Sequence, residues 1–140
     1  MITHVSGQLH QSIWERYEHE DIGIVQALDK IRDAGLLMAE AINQESISTI
    51  VESFKIVMGA VDELGMELHD PFRNIIDPYT ESGQILAWKA MGAGGGGVVG
   101  LLLSDQCNRE KIIIEITKKG WKNIDWKVDK LGLQVKEVTL

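Results

Sequence analysis

Apolar residues recur every three or four positions through the first half of the chain, the spacing that gathers them on one face of a helix. Leu9, Ile13, Trp14 and Tyr17 form such a stripe from about Ser6 to His19, with Glu15, Arg16 and Glu18 on the other face. Asp21 is placed to cap a longer second helix carrying Ile24, Leu28, Ile31, Gly35, Met38 and Ile42, because a short acidic side chain accepts from the unpaired N–H groups of a first helical turn. A third helix, capped by Ser46 or Ser48, runs through Ile50, Phe54, Val57, Met58, Val61 and Leu64 and stops at Gly65. Three consecutive amphipathic helices imply an antiparallel helical layer.

The pattern changes after Pro71. The two prolines allow only a short helix, starting at Pro78 with Asp77 as its cap. A strand then precedes the glycine cluster, and Val98–Leu103 follows it as a second strand that reads as buried on both faces. Ser104 or Asp105 is positioned to cap a helix that turns Ile112, Ile113 and Ile116 inward, places Lys118 and Lys119 at its negative end and closes at Gly120. Ile124, Trp126 and Val128 alternate as in a strand, Lys130–Gly132 turns the chain, and Leu133, Val135 and Val138 continue in a last strand. Short turns between strands make the sheet mainly antiparallel, with the helices packed on one face: an α+β fold in a single domain, 1–140.

Charge narrows the partners. Residues 1–70 hold 4 Lys/Arg against 13 Asp/Glu, and residues 71–140 hold 10 against 8, so no dense basic stripe exists for nucleic acid. The longest apolar run, Val98–Leu103, is far shorter than the about 20 residues of a membrane span, and Met1–His10 has no signal-peptide pattern. A cytoplasmic protein with no membrane partner is expected. The single cysteine, Cys107, and four scattered histidines give no zinc spacing.

Six of the 14 glycines fall between Gly92 and Gly100. Gly92, Ala93, Gly94, Gly95, Gly96 and Gly97 form the one segment whose composition demands a reason, since a glycine run weakens a fold unless positive φ or close backbone approach is needed. Without side chains in the way, successive N–H groups converge on an anionic oxygen and make a nest for phosphate. A tight hairpin needs only one or two glycines. The segment spells G-x-G-x-x-G, but a strand-like run follows it where the dinucleotide fingerprint opens a helix. It lacks the Gly-Lys-Ser/Thr ending of a P-loop and the Asp motifs of protein kinases.

In its setting, Trp88-Lys89-Ala90-Met91-Gly92-Ala93-Gly94-Gly95-Gly96-Gly97-Val98-Val99 resembles the third, C-terminal motif of the GHMP small-molecule kinases, among them galactokinase, homoserine kinase and mevalonate kinase. A lysine three residues before the loop, matched by Lys89, and an apolar strand directly after it are typical of that motif. Ser6-Gly7-Gln8-Leu9-His10-Gln11-Ser12 resembles a segment of the sugar-directed members, such as the heptose kinases. The resemblance implies the ferredoxin-like C-terminal domain of an enzyme that moves the γ-phosphoryl group of ATP onto a hydroxyl of a sugar or other small metabolite, with magnesium. It assigns the loop, with Lys89, to the cleft that binds phosphate and substrate.

The family's phosphate loop, magnesium-holding residues and catalytic Asp belong to an N-terminal domain and have no counterpart in this sequence. The expectation is a C-terminal domain whose partner is that N-terminal kinase domain, which would bring ATP and magnesium, and which phosphorylates nothing by itself. A stand-alone metabolite- or phosphate-binding regulatory module is the alternative, because the loop would bind anions in either. Trp88 reads as packing more than as an acceptor wall, Lys89 as a phosphate contact or a solvent-facing strand residue, His10 as surface, and Asp70–Asn74 as a polar connection between helices.

Overall fold

The computed structural model describes residues 6–65, 68–92, 96–128 and 130–131. The fold is α+β: α1 (Ser6–Glu18), α2 (Ile22–Asn43), α3 (Ile47–Leu64) and α4 (Asp70–Glu81) precede the antiparallel pair β1 (Ile85–Met91) and β2 (Val98–Leu103), and α5 (Arg109–Lys118) follows. The chain divides into two compact units, Met1–Arg109 and Glu110–Leu140. No helix among the described residues is long and apolar enough to cross a membrane.

In the first unit the two helix corners are built alike. At the end of α1, Asp21 N–H donates to Arg16 O and Glu20 N–H to Tyr17 O; at the end of α2, Ser46 N–H donates to Ala41 O and Glu45 N–H to Ile42 O. This is the Schellman arrangement, which settles the last helical carbonyls and requires a left-handed residue one place past the cap. Glu20 (φ 55°) and Glu45 (φ 54°) take that place. The next residue then starts the following helix. Asp21 Oδ1 accepts from Gly23 and Ile24 N–H, and Ser46 Oγ accepts from Thr49 N–H. The other Asp21 oxygen holds Arg16, and this partner, with the helix N–H groups, lowers the carboxyl below its ordinary value. One residue thus closes one helix and opens the next, giving corners of minimal length.

Small residues set how closely α2 and α3 pack. Ala27, Ala34 and Ala41 recur every seventh residue and are buried, as are Ser53 and Ala60 at the same interval on α3. Ser53 Oγ donates to the Ala34 carbonyl at 2.7 Å, bridging the two helices through a side chain that would otherwise be a buried unpaired hydroxyl. The stripe expected on α2 is corrected in part: Ile24 is fully buried and Leu28, Ile31 and Met38 are half-buried, but Gly35 and Ile42 face solvent and alanines take the seam. The reason is steric, since close backbones leave no room for Ile or Met there. On α3 the six expected positions are all buried or half-buried.

The helix expected to begin at Pro78 begins eight residues earlier, and Asp77 caps nothing. Pro71 lies in the first turn of α4, where no N–H is needed, and Pro78 is inside the helix. The carbonyl it leaves without its i+4 donor belongs to Asn74, an exposed residue. Gly83 and Gln84 then close α4 by the Schellman bonds to Thr80 and Tyr79.

β1 and β2 form a hairpin in which Met91 pairs with Val98, Ala90 with Val99, Lys89 with Gly100 and Trp88 with Leu101, with an irregularity between Ile85 and Ala87. Helices α3 and α4 pack against β1. β2 is half-buried, with Val98 exposed, rather than buried on both faces, because among the described residues it has β1 alone as a neighbour.

After β2, α5 starts at Arg109, later than the Ser104 or Asp105 cap implied, because Cys107 N–H bonds back to Ser104 O in a turn of its own. Ile112 and Ile116 are buried and Ile113 half-buried. Gly120 and Trp121 donate to Thr117 and Ile116, the same closure as α4. The strand expected over Ile124, Trp126 and Val128 is absent: residues 121–128 have no regular structure, and these three side chains are exposed. Among the described residues this segment has no ladder partner, and alternation alone does not hold a strand. Leu133, Val135 and Val138 lie outside the described residues.

Candidate functional site

The connection from β1 to β2 is the glycine segment. Of it, Gly92, Gly96 and Gly97 are described, and Ala93, Gly94 and Gly95 lie outside the described residues. Gly92 (φ 95°) and Gly97 (φ 89°) stand at the two ends of the loop in the left-handed region, with nothing within 4 Å of where a Cβ would be. At both positions glycine answers to backbone conformation and not to crowding.

At the foot of the loop lies a cavity of about 230 Å³. Lys89, Ala90 and Gly92 border it from the hairpin, His10 and Ile13 from α1, Leu28 from α2, Val57, Met58, Val61 and Leu64 from α3, and Leu68 and His69 from the start of α4. Lys89 is half-buried, and its Nζ donates to the Ala90 carbonyl at 2.9 Å. The ammonium is thus held at the end of the strand, beside the first loop glycine. No carboxylate is among the described lining residues. A larger open groove, about 430 Å³, runs along the outer side of α3 between Ser48 and Ile56, but one helix face supplies all of it and no groups converge there.

His69, which the sequence did not single out, is the buried polar group of this wall at 1% exposure. Its Nδ1 lies 2.8 Å from Asp62 Oδ1. Since a carboxylate only accepts, the proton is on Nδ1, and Nε2 keeps its lone pair. Burial drives the imidazole pKa below its usual value, Arg73 and Lys89 push the same way, and Asp62 pulls against them. Arg73 bonds the second oxygen of Asp62 through Nη2, and that bond raises the guanidinium's pKa above its usual value. The Arg73 Nε is buried with no hydrogen-bond partner. Trp88 meets the His69 ring edge-on with centroids 5.2 Å apart and packs on Phe72 at 6.0 Å. It is buried outside the cavity and serves as packing.

The comparisons with known proteins gave no match. No family model, curated protein or solved structure matches this chain.

The structure brings Lys89 and Gly92 to one cavity and adds His69 and His10 to them. His10 is exposed, as expected of a surface residue, yet stands at the rim. Asp70–Asn74 is the first turn of α4 rather than a loop, and its Arg73 turns to Asp62. Among the described residues no group of three or more His, Cys, Asp and Glu is placed to hold a metal ion. The residues here therefore do not fit a magnesium site, and no step is assigned to one. The chemistry on offer at the cavity is an ammonium for an anion, an imidazole nitrogen that accepts from a hydroxyl, and the backbone of Gly92.

Proposed function

We propose that this chain is the C-terminal part of an ATP-dependent small-molecule kinase of the GHMP type, acting in the cytoplasm on a sugar or another small hydroxyl-bearing metabolite. ATP and the acceptor alcohol would give ADP, a phosphate monoester and a proton. Nucleotide phosphates and magnesium would be held by an N-terminal domain, and the glycine segment would present main-chain N–H groups to the phosphate being moved. Phosphoryl transfer suits such a division, because fixed dipoles and positioning supply most of its catalysis.

The observation that carries the reading is the lysine half-buried at the mouth of a cavity that the first loop glycine also borders. A lysine serving only the surface would extend into water. The motif around it supports the kinase class over a purely structural hairpin. The test is calorimetric titration with pyrophosphate. Wild-type protein is expected to bind weakly, in the millimolar range, and Lys89→Ala to lose that binding. Equal binding by both would remove the reading. In a coupled ATP-consumption assay the chain by itself is expected to give no turnover.

A further inference from the structure

The cavity differs in kind from a sugar site. Its wall from α2 and α3 is Leu28, Val57, Met58, Val61 and Leu64, with no hydroxyl or amide side chain among them. A polyhydroxylated molecule placed there would leave its own hydroxyls without partners, which costs about 1–3 kcal/mol for each buried group. The polar members, Lys89, His69 and His10, are basic side chains or imidazoles; Asp62, behind the wall, pairs with His69, and no carboxylate is among the described lining residues. The volume, about 230 Å³, suits a small molecule rather than a nucleotide.

We infer that this cavity binds a small amphipathic phosphate monoester, its anionic head at Lys89 and Gly92 and a short apolar body against α2 and α3. This rests on the kinase reading and narrows its substrate class: the ester is the product, and the acceptor is an alcohol with an apolar body. His69 adds selectivity. With Nδ1–H donated to Asp62, Nε2 of the neutral imidazole accepts from a hydroxyl or a monoprotonated phosphate.

The experiment titrates the full chain with inorganic phosphate, methyl, butyl and hexyl phosphate, and glucose 6-phosphate, following binding by calorimetry and the fold by circular dichroism. Burying each added methylene should tighten binding by about threefold to fourfold until the cavity is filled. Ile13→Gln and Leu64→Gln should flatten that dependence; Ile13 lies on α1, so its variant keeps the test open if the Leu64 variant fails to fold. Binding that ignores chain length, or glucose 6-phosphate binding more tightly than butyl phosphate, would overturn the inference and leave the kinase reading in place. Chain-length dependence that survives Lys89→Ala and Gly97→Val would instead count against the kinase reading. If none of the phosphates binds, both fall.

Discussion

His69 donates its Nδ1 proton to Asp62 across 2.8 Å, and the second oxygen of the same carboxylate holds Arg73. Two basic groups from the start of α4 are thereby fastened to the last turns of α3, and the wall of the cavity next to Lys89 is fixed. Asp62→Ala removes both bonds at once and leaves a buried imidazole N–H without an acceptor. The expected loss of stability is about 2 kcal/mol, read from urea unfolding at neutral pH. A loss within error would show that the cluster is not structural.

The same cluster sets a pH dependence. The His69 pKa is lowered in the fold, first by burial and then by Arg73 and Lys89, against the pull of Asp62. Below about pH 6.5 the unfolded chain takes up a proton that the folded chain refuses until its own, lower pKa is reached. The unfolded state then binds more protons, so stability falls as pH drops through that window and levels out beneath it. Unfolding midpoints between pH 7 and 5 should show this decline, and His69→Gln should remove most of it. An unchanged slope in the variant would assign the decline to other groups.

Glu20 and Glu45 offer gains. Each sits at positive φ, in the place that Gly83 and Gly120 fill at the ends of α4 and α5, and a side chain there costs about 1–2 kcal/mol. Part of that is offset by the greater freedom glycine brings to the unfolded chain. Glu20→Gly and Glu45→Gly should each stabilise by about 0.5–1 kcal/mol and should add, since the corners share no partner. Thermal melts of the two single variants and the double variant check this.

The glycines of the hairpin should separate into two classes. At Gly97 (φ 89°) any other residue is strained whatever the space around it, and Gly97→Val should destabilise by about 1–2 kcal/mol. At Gly100 the obstacle to a Cβ is the Met91 side-chain end at 2.5 Å, and Met91 is half exposed and free to turn aside. Gly100→Ala should therefore stay within about 0.5 kcal/mol of wild type. The same melts decide, and the reverse order would contradict the backbone argument.

The helical half was legible because its punctuation is chemical. Asp21 and Ser46 act where their side chains say they should, and α3 stops at Gly65. The second half was harder, since proline marks a helix start as well as a stop. Pro71 does the first, while Pro78 is tolerated in the last turn of the same helix. The alanine seam of α2 was hidden because larger apolar residues beside it drew the stripe, although the seven-residue recurrence of Ala27, Ala34 and Ala41 was there to read. At the site, the glycines stood out through composition and Lys89 through the motif around them. His69 did not, because its partner Asp62 is seven residues back across a turn, a distance that periodicity does not bridge. The available signal was His-Asp-Pro at a helix start, which places a histidine at the end of the preceding connection.

The account stands on the glycine segment and Lys89 forming one anion site. Amide chemical shifts of isotope-labelled protein, followed during titration with inorganic phosphate, test this most directly. The account predicts saturable shifts at Gly92, Gly96, Gly97 and Ala90, abolished by Lys89→Ala. Shifts confined to helix N-termini such as Gly23 and Ile24, or unaltered by that substitution, would contradict it.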